Sequence, residues 1–233
     1  SECININNRV ERDKCEEKCY DRTNPRAITF SENLKFFKEY QLDHMYWRYF
    51  FWNFSGRQND IQGHGGIIDG NWITGIKFID NHVLKLGPQN NMPEHIKNQK
   101  GRNTYFLLPF ILGFIGFFYH LFRKKKDFWA VFLLFFFTGI AIVVELNQTP
   151  LQPRERDYAF VGSFYAFSIW VAFGALAILD LLKFIKQKID SLVNESKLKN
   201  LVLQKGVLAF FTFVLLGIPT LMAIENWDDH DRS

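Results

Sequence analysis

A short hydrophilic stretch in the second half of the chain carries the residues best suited to chemistry. Arg154, Glu155, Arg156 and Asp157 alternate in charge within the proline-containing segment 145–158. Two guanidinium groups beside apolar segments can hold a phosphate whose hydrocarbon tail lies in a bilayer, and the carboxylates can orient them or act on the reacting group. A salt-bridged turn at a membrane surface explains the same alternation, so the spacing alone leaves both interpretations open.

A second candidate site lies in a glycine-punctuated segment, 55–66. Its charged or titratable side chains are Arg57, Asp60 and His64. Such groups can serve in anion binding, acid–base catalysis or metal ligation. The alternative is a turn-rich loop whose polar side chains bond to nearby backbone groups.

Metal binding is not predicted. Cys3, Cys15 and Cys19 have no fourth ligand at a spacing suitable for zinc, and three cysteines define no disulfide pairing. The acidic run 228–231 could hold a cation, but an exposed acidic turn is the favoured interpretation. The sequence also contains no glycine-rich nucleotide motif, zinc-protease helix or hydrolase nucleophile elbow.

Four apolar runs must position these residues. The chain has 233 residues and a mean hydropathy of −0.10, but this average combines a polar part, 1–104, with an apolar part. The apolar runs hold no Asp, Glu, Lys or Arg and cover 105–122, 128–144, 159–179 and 206–224. As helices they would each be roughly 26–32 Å long, which matches the hydrocarbon core of a bilayer. Helices buried in a soluble core are disfavoured, because these runs show no polar face.

We therefore predict an all-α integral membrane protein with four transmembrane helices and the lipid bilayer as a partner. A charged, cysteine-containing segment covers 1–30, and a mostly helical or irregular outer segment covers 31–104. The membrane part is 105–224, and an outer C-terminal end covers 225–233. The net charge of +4 is too small to indicate a nucleic-acid partner.

The basic residues predict the orientation. They collect in the loops 123–127 and 183–205, whereas 145–158 and 225–233 carry few. Cytoplasmic loops carry the excess of Lys and Arg. We expect the two basic loops to be cytoplasmic and 1–104, 145–158 and 225–233 to lie outside.

An aromatic segment precedes the second candidate site. Residues 31–54 are predicted to form a helix capped by Ser31, and within it 45–54 is almost entirely aromatic, with Arg48 as its one charge. This composition favours an element on the membrane surface, where Trp and Tyr are enriched. Packing against other parts of the protein is the alternative.

Several longer strings carry a family resemblance. They are HMYWRYFFWNFSGRQNDIQGHGG (44–66), NWITGIKFIDN (71–81), LFFFTGIAIVVELNQTPLQPRERDYAFVGSFYAFSIW (134–170) and ENWDDHDRS (225–233). Over 31–233 the chain resembles a family of large bacterial multi-pass inner-membrane proteins, long catalogued only as a domain of unknown function. That family is grouped with the GT-C glycosyltransferases and is related to a vertebrate protein O-mannosyltransferase. Residues 1–30 have no counterpart in it.

The resemblance implies a GT-C-like fold and an inverting transferase in the inner (plasma) membrane. The segments expected outside, 1–104, 145–158 and 225–233, would then be periplasmic. Such an enzyme moves a sugar from a polyprenyl-phosphate donor to a Ser or Thr hydroxyl of an acceptor protein on the outer face. In the family this region follows a first outer loop, which usually carries the catalytic acid in GT-C enzymes. We therefore expect the full-length protein to be an enzyme, and this piece, without the general base, to be inactive alone. The resemblance implies no cofactor other than the lipid-linked donor.

The resemblance also suggests roles for the two candidate sites, because the family motifs match at 56–60 and 152–158. The expected contacts of the donor phosphate are Arg154 and Arg156. Further candidate site residues are Arg57 and Tyr158. The candidate catalytic or substrate-orienting residues are Asp60, His64, Glu155 and Asp157.

A non-catalytic membrane scaffold or a transporter component is the alternative function. Transporters usually contain interrupted spans with ionisable residues near the middle of the membrane. Here the apolar runs are uncharged and the polar groups collect outside them. This distribution favours interfacial chemistry on a lipid-linked substrate.

Overall fold

A computed structural model describes most of the chain, namely residues 28–61, 68–88, 92–150, 156–193 and 197–230. These residues are mostly helical, and three of the helices are long and apolar enough to cross a membrane. The chain is therefore of the all-α membrane class that the hydropathy pattern predicts. All three cysteines lie outside the described residues.

The chain divides into two compact units, 1–38 and 39–233. In the first unit, helix α1 covers Phe30–Phe36. Its cap is Thr29, and not Ser31 as the sequence suggested: the Glu32 backbone N–H donates to Thr29 Oγ1 at 3.4 Å, and the Thr29 N–H donates to Glu32 Oε2 at 2.9 Å. This reciprocal pair is a capping box, which places the helix start one residue before Ser31.

A π-helical segment, Phe37–Trp47, is followed by helix α2, Arg48–Phe54. The rings of this region pack against the chain's own apolar helices. The Phe50 ring centroid lies 4.8 Å from that of Phe167 and 6.2 Å from that of Phe135. The aromatic composition therefore reflects packing inside the protein, and the predicted location on a membrane surface stays a prediction.

The polar region after α2 contains little regular structure. Strand β1, Gly56–Arg57, pairs antiparallel with β2, Asn103–Thr104. Gly56 has φ of 148°, and a Cβ there would lie 2.6 Å from the Asn103 carbonyl oxygen, so only glycine fits this strand. Between the strands lie a short π-helical turn, Ile79–Val83, and helix α3, Glu94–Lys97.

Five helices make up the apolar part. They are α4, Leu108–Arg123; α5, Lys125–Thr138; α6, Ile140–Leu146; α7, Val161–Val193; and α8, Lys197–His230. A 3-10 turn, Asp157–Phe160, leads into α7. The stretches able to span a membrane are Lys125–Leu146, Asp157–Ile185 and Ala209–Trp227. They contain or overlap the predicted spans 128–144, 159–179 and 206–224.

The first predicted span, 105–122, is shorter as a helix. Phe106 and Leu107 have left-handed φ angles of 53° and 58°, so α4 begins only at Leu108 and has 16 residues. Its length is roughly 24 Å, less than the hydrocarbon thickness of a typical bilayer. The crossing of the membrane by this helix, and with it a count of four spans, stays a prediction.

Glycines allow α4 and α7 to lie in close contact. A Cβ on Gly116 would collide with the Trp170 carbonyl oxygen, and one on Gly174 would collide with the Leu112 carbonyl oxygen. Small residues at such contacts let helix backbones approach closely inside membranes. The buried core around this contact contains Phe50, Phe54, Phe128, Phe167 and Trp170.

A glycine also separates α5 from α6. At Gly139 the backbone leaves the helical region, with φ of −118° and ψ of −93°. A Cβ at Gly139 would lie 2.6 Å from the Tyr46 hydroxyl oxygen. That hydroxyl donates to Ser163 Oγ at 3.2 Å, and Ser163 donates to the Phe160 carbonyl oxygen at 2.7 Å. The break therefore lies where the π-helical segment contacts the start of α7.

Candidate polar site at one end of the helices

Arg57 and Asp60 form an ion pair directly after α2. The Arg57 Nη1 atom lies 3.0 Å from Asp60 Oδ1. Arg57 Nε donates to the Gly101 carbonyl oxygen at 2.7 Å, and the guanidinium carbon lies 5.5 Å from the Trp52 ring centroid. The Arg57 side chain is 18 % exposed and that of Asp60 is 48 % exposed. A held guanidinium thus orients a carboxylate that solvent or a substrate can reach.

Two buried amides hold the backbone of this loop. Asn59 Nδ2 donates to the Ile68 carbonyl oxygen at 2.7 Å, and the Gly70 N–H donates to Asn59 Oδ1 at 2.7 Å. Gln58 is fully buried, and its Oε1 accepts from Asn71 Nδ2 at 3.2 Å. These anchors were not singled out in the sequence, although two adjacent amides between charged residues are a usable signal. His64 lies outside the described residues.

Of the other candidate loop, 145–158, the structure describes 145–150 and 156–158, so Arg154 and Glu155 lie outside the described residues. Arg156 precedes the 3-10 turn, and its carbonyl oxygen accepts from the Ala159 N–H at 3.1 Å. Arg156, Asp157 and Tyr158 are all exposed. Among the described residues, neither the Arg156 nor the Asp157 side chain forms a hydrogen bond or ion pair. Their charged groups are therefore open to a ligand as far as the described part of the chain extends.

The start of this loop contacts the π-helical segment. The buried Gln41 donates through Nε2 to Asn147 Oδ1 at 2.8 Å and to the Gln148 carbonyl oxygen at 3.2 Å. Asn147 has a left-handed φ of 39°, which ends α6. The loop thus leaves α6 from a fixed position.

The end of α8 joins the polar region through hydrogen bonds across a long sequence separation. Asn226 Nδ2 donates to the Tyr105 hydroxyl at 2.6 Å, and Asn103 Nδ2 donates to Asn226 Oδ1 at 3.2 Å. The Thr104 N–H donates to Glu225 Oε2 at 3.3 Å. Because the Arg57 N–H donates to Asn103 Oδ1 at 2.9 Å, one network connects β1, β2 and α8. The sequence offered no signal for this contact.

An apolar groove of about 430 Å³ lies between α4, α7 and α8. Phe54 and Pro109 line it, together with Val171, Ala175 and Met222. Phe54 comes just before β1, and Asn226 donates to the Met222 carbonyl oxygen at 2.6 Å. The groove therefore borders the polar network at this end. A second groove of about 560 Å³ is mostly aromatic and includes Trp47, Phe50 and Trp72.

The described residues contain no group of three or more His, Cys, Asp and Glu side chains that could hold a metal ion. The side chains of the acidic run 228–231 are not among those described. The structure thus defines a mostly helical membrane protein with a polar site next to an apolar groove.

Comparisons of the chain with protein-family models, with curated proteins and with solved structures find no match.

Proposed function

We propose that this chain is part of a GT-C-type glycosyltransferase, similar to a protein O-mannosyltransferase. The enzyme would transfer a sugar from a polyprenyl-phosphate donor to a Ser or Thr hydroxyl on the outer face of the membrane. The observation that carries the proposal is the polar network of Arg57, Asp60, Asn103 and Asn226 beside an apolar groove. A lipid-linked sugar needs these two environments next to each other.

The reaction requires stabilisation of a leaving phosphate. As the bond between the sugar C1 and the phosphate oxygen breaks, its electron pair stays on the polyprenyl phosphate. Guanidinium groups stabilise such developing charge. Arg156, and with it Arg154, is the proposed contact, because the Arg156 side chain is exposed and unpaired among the described residues at the start of α7. Tyr158 is exposed in the same turn and can donate a hydrogen bond.

The acceptor hydroxyl must lose a proton as its oxygen bonds to C1. A positioned carboxylate can take this proton. Asp60 is the best candidate that the structure describes, because Arg57 orients it and it is half exposed. His64, Glu155 and Asp157 are retained as candidates for substrate orientation. If the base belongs to another part of the full-length protein, Asp60 would orient the acceptor instead.

The apolar groove would hold the lipid-linked donor close to the polar site. A polyprenyl chain between α4, α7 and α8 would hold its phosphate at the polar end, which turns a collision between two molecules into a reaction within one complex. The wall residues are almost all apolar, as an isoprenoid requires. The proposed orientation places this end outside and the basic loops 123–127 and 183–205 in the cytoplasm.

One observation favours the alternative of a transporter component. His120 is buried in α4, and neither ring nitrogen has a hydrogen-bond partner among the described residues. Buried ionisable residues within membrane helices often mark transport pathways. However, the His120 ring stacks on Phe173 with centroids 4.2 Å apart, so it is packed in an aromatic core.

The test is a transfer assay on the full-length protein in nanodiscs. Arg154→Ala and Arg156→Ala should each abolish transfer of the sugar while leaving membrane insertion intact. Lys124→Ala, at the opposite end of α4, is the matched loss of a positive charge and should leave transfer unchanged. Full activity in both arginine variants would contradict the proposed role of this loop.

A further inference from the structure

A small polar cavity beside β2 is lined by residues to which no role has been assigned. Its volume is about 200 Å³, and its walls include Lys77, Asp80, Asn81 and Arg102. Two of these side chains are cations and one is a carboxylate. Whether the Asp80 carboxylate is already hydrogen-bonded within the protein decides what the cavity can bind.

The Asp80 carboxylate is already occupied. Its Oδ1 accepts from the Thr74 N–H and from Thr74 Oγ1, both at 2.8 Å, and its Oδ2 accepts from the Gly75 N–H at 3.0 Å. Asp80 is buried, and these bonds hold the turn from Thr74 to Asp80 in place. It is therefore a structural group that faces the backbone, and it forms no ion pair with a described cation.

Arg102 is only weakly bound by the protein. It is half-buried, and the one hydrogen bond of its side chain to a described residue is the long contact of 3.4 Å from Nη1 to the Gln58 carbonyl oxygen. Burial lowers the pKa of the Arg102 guanidinium, although the charge of Asp80 acts in the opposite direction. A partly desolvated guanidinium without a paired anion is costly, and an anion bound in the cavity would offset that cost.

Two further side chains of the cavity can bind an anion. Lys77 is exposed and forms no ion pair with the described residues. Asn81 Oδ1 is buried without a hydrogen-bond partner among them. Because the amide oxygen and nitrogen of Asn can exchange places by rotation, Asn81 can instead present its N–H groups to a ligand. The cavity can thus offer donors from three side chains.

The cavity also borders the apolar part of the chain. Phe106 lines it and is 46 % exposed. Phe106 has a left-handed φ of 53° and lies two residues before Leu108, where the apolar helix α4 begins. A Cβ on Gly75 would lie 3.1 Å from Phe106 Cε1, so the Phe106 ring packs directly against Gly75, which also lines the cavity.

We propose that this cavity binds the phosphoryl group of an anionic ligand, with Lys77 and Arg102 contacting its oxygens and Asn81 donating a hydrogen bond. Guanidinium and ammonium groups are the usual phosphate ligands of proteins. The phosphoryl group belongs either to a lipid head group beside α4 or to a soluble phosphate. The proposal uses none of the residues assigned to sugar transfer and does not depend on that function.

The experiment is calorimetric titration of the full-length protein in nanodiscs with hexyl phosphate and with inorganic phosphate. Lys77→Gln and Arg102→Gln should each weaken hexyl phosphate binding about tenfold, as expected for the loss of one charged contact. Asn81→Asp should weaken it as well, because a new negative charge faces the ligand. Lys100→Gln removes a nearby charge outside the cavity and should leave the affinity unchanged.

Tighter binding of hexyl phosphate than of inorganic phosphate would identify a lipid head group, and equal affinities would identify a soluble phosphate. Absence of saturable binding of both probes, or wild-type affinity in Lys77→Gln and Arg102→Gln, would overturn the proposal. Lys77→Gln protects the test from misfolding, because the exposed Lys77 side chain forms no hydrogen bond or ion pair with the described residues. Binding is measured without any transfer reaction, so this test and the transferase test can fail separately.

Discussion

The guanidinium of Arg57 lies 3.0 Å from one carboxylate oxygen of Asp60, while Gly101 and the Trp52 ring hold the same guanidinium from other sides. The second oxygen of Asp60 has no hydrogen-bond partner among the described residues. An ion pair this exposed contributes at most about 1 kcal/mol to stability. The contact therefore fixes the position of an exposed carboxylate more than it stabilises the fold.

The first prediction concerns that carboxylate. Asp60→Asn keeps the size of the side chain but removes the charge, and we expect transfer by the full-length protein to fall about 100-fold or more if Asp60 is the base. The thermal unfolding temperature should hardly change. Asp69→Asn is the matched control and should retain activity. Wild-type transfer by Asp60→Asn would exclude Asp60 as a catalytic group.

The second prediction concerns the contact between α4 and α7. Gly116→Ala places a Cβ against the Trp170 carbonyl oxygen, and we expect a destabilisation of about 1–3 kcal/mol from overpacking. Gly217→Ala is the same change in α8, where a Cβ meets nothing within 4 Å. It should be neutral or slightly stabilising, because alanine favours helix more than glycine does. Thermal unfolding in detergent would compare the two, and equal melting temperatures would contradict the close packing of α4 on α7.

The third prediction concerns the aromatic core. The Phe50 ring of α2 is almost fully buried and contacts rings of α4, α5 and α7. Phe50→Ala removes this ring and should cost about 3 kcal/mol or more of unfolding free energy. Phe213→Ala is the control, because Phe213 is 78 % exposed on α8. Denaturant unfolding in micelles measures both. If Phe50→Ala were as stable as Phe213→Ala, α2 would not pack against the apolar helices as described.

The fourth prediction concerns the attachment of α8 to the polar network. Asn226→Ala removes the bonds to the Tyr105 hydroxyl and to Asn103, and should cost about 1–2 kcal/mol. Hydrogen exchange at the Thr104 and Tyr105 amides should become faster. Thr220→Ala removes a bond within α8 alone, to the Leu216 carbonyl oxygen, and should leave exchange at those amides unchanged. Unchanged exchange in Asn226→Ala would mean that α8 is not held there.

Hydropathy predicted the apolar helices well, because a long run without charges has few alternatives to a membrane helix. Hydropathy predicted the first apolar helix, α4, less well. The left-handed residues Phe106 and Leu107 shorten α4, and no apolar residue signals that conformation in a sequence. The π-helical segment and the break at Gly139 were also missed. The break lies beside the hydrogen bond between Tyr46 and Ser163, a tertiary contact that no local pattern signals.

The candidate site was predictable only in its local parts. Arg57 and Asp60 lie close together in sequence, and the structure pairs them. The network through Asn103 and Asn226 joins residues more than a hundred positions apart. The cavity lined by Arg102 depends on the turn that Asp80 holds in place. Such contacts follow from the tertiary fold, and no spacing in a single sequence specifies them.

Binding of a lipid-linked sugar at the polar end of the protein can be measured directly. A polyprenyl-phosphate-mannose analogue would be titrated into the full-length protein in nanodiscs, with an Arg154→Ala/Arg156→Ala double variant alongside. We expect saturable binding by the wild type and its loss in the double variant. Absence of binding by a well-folded wild type would contradict this expectation.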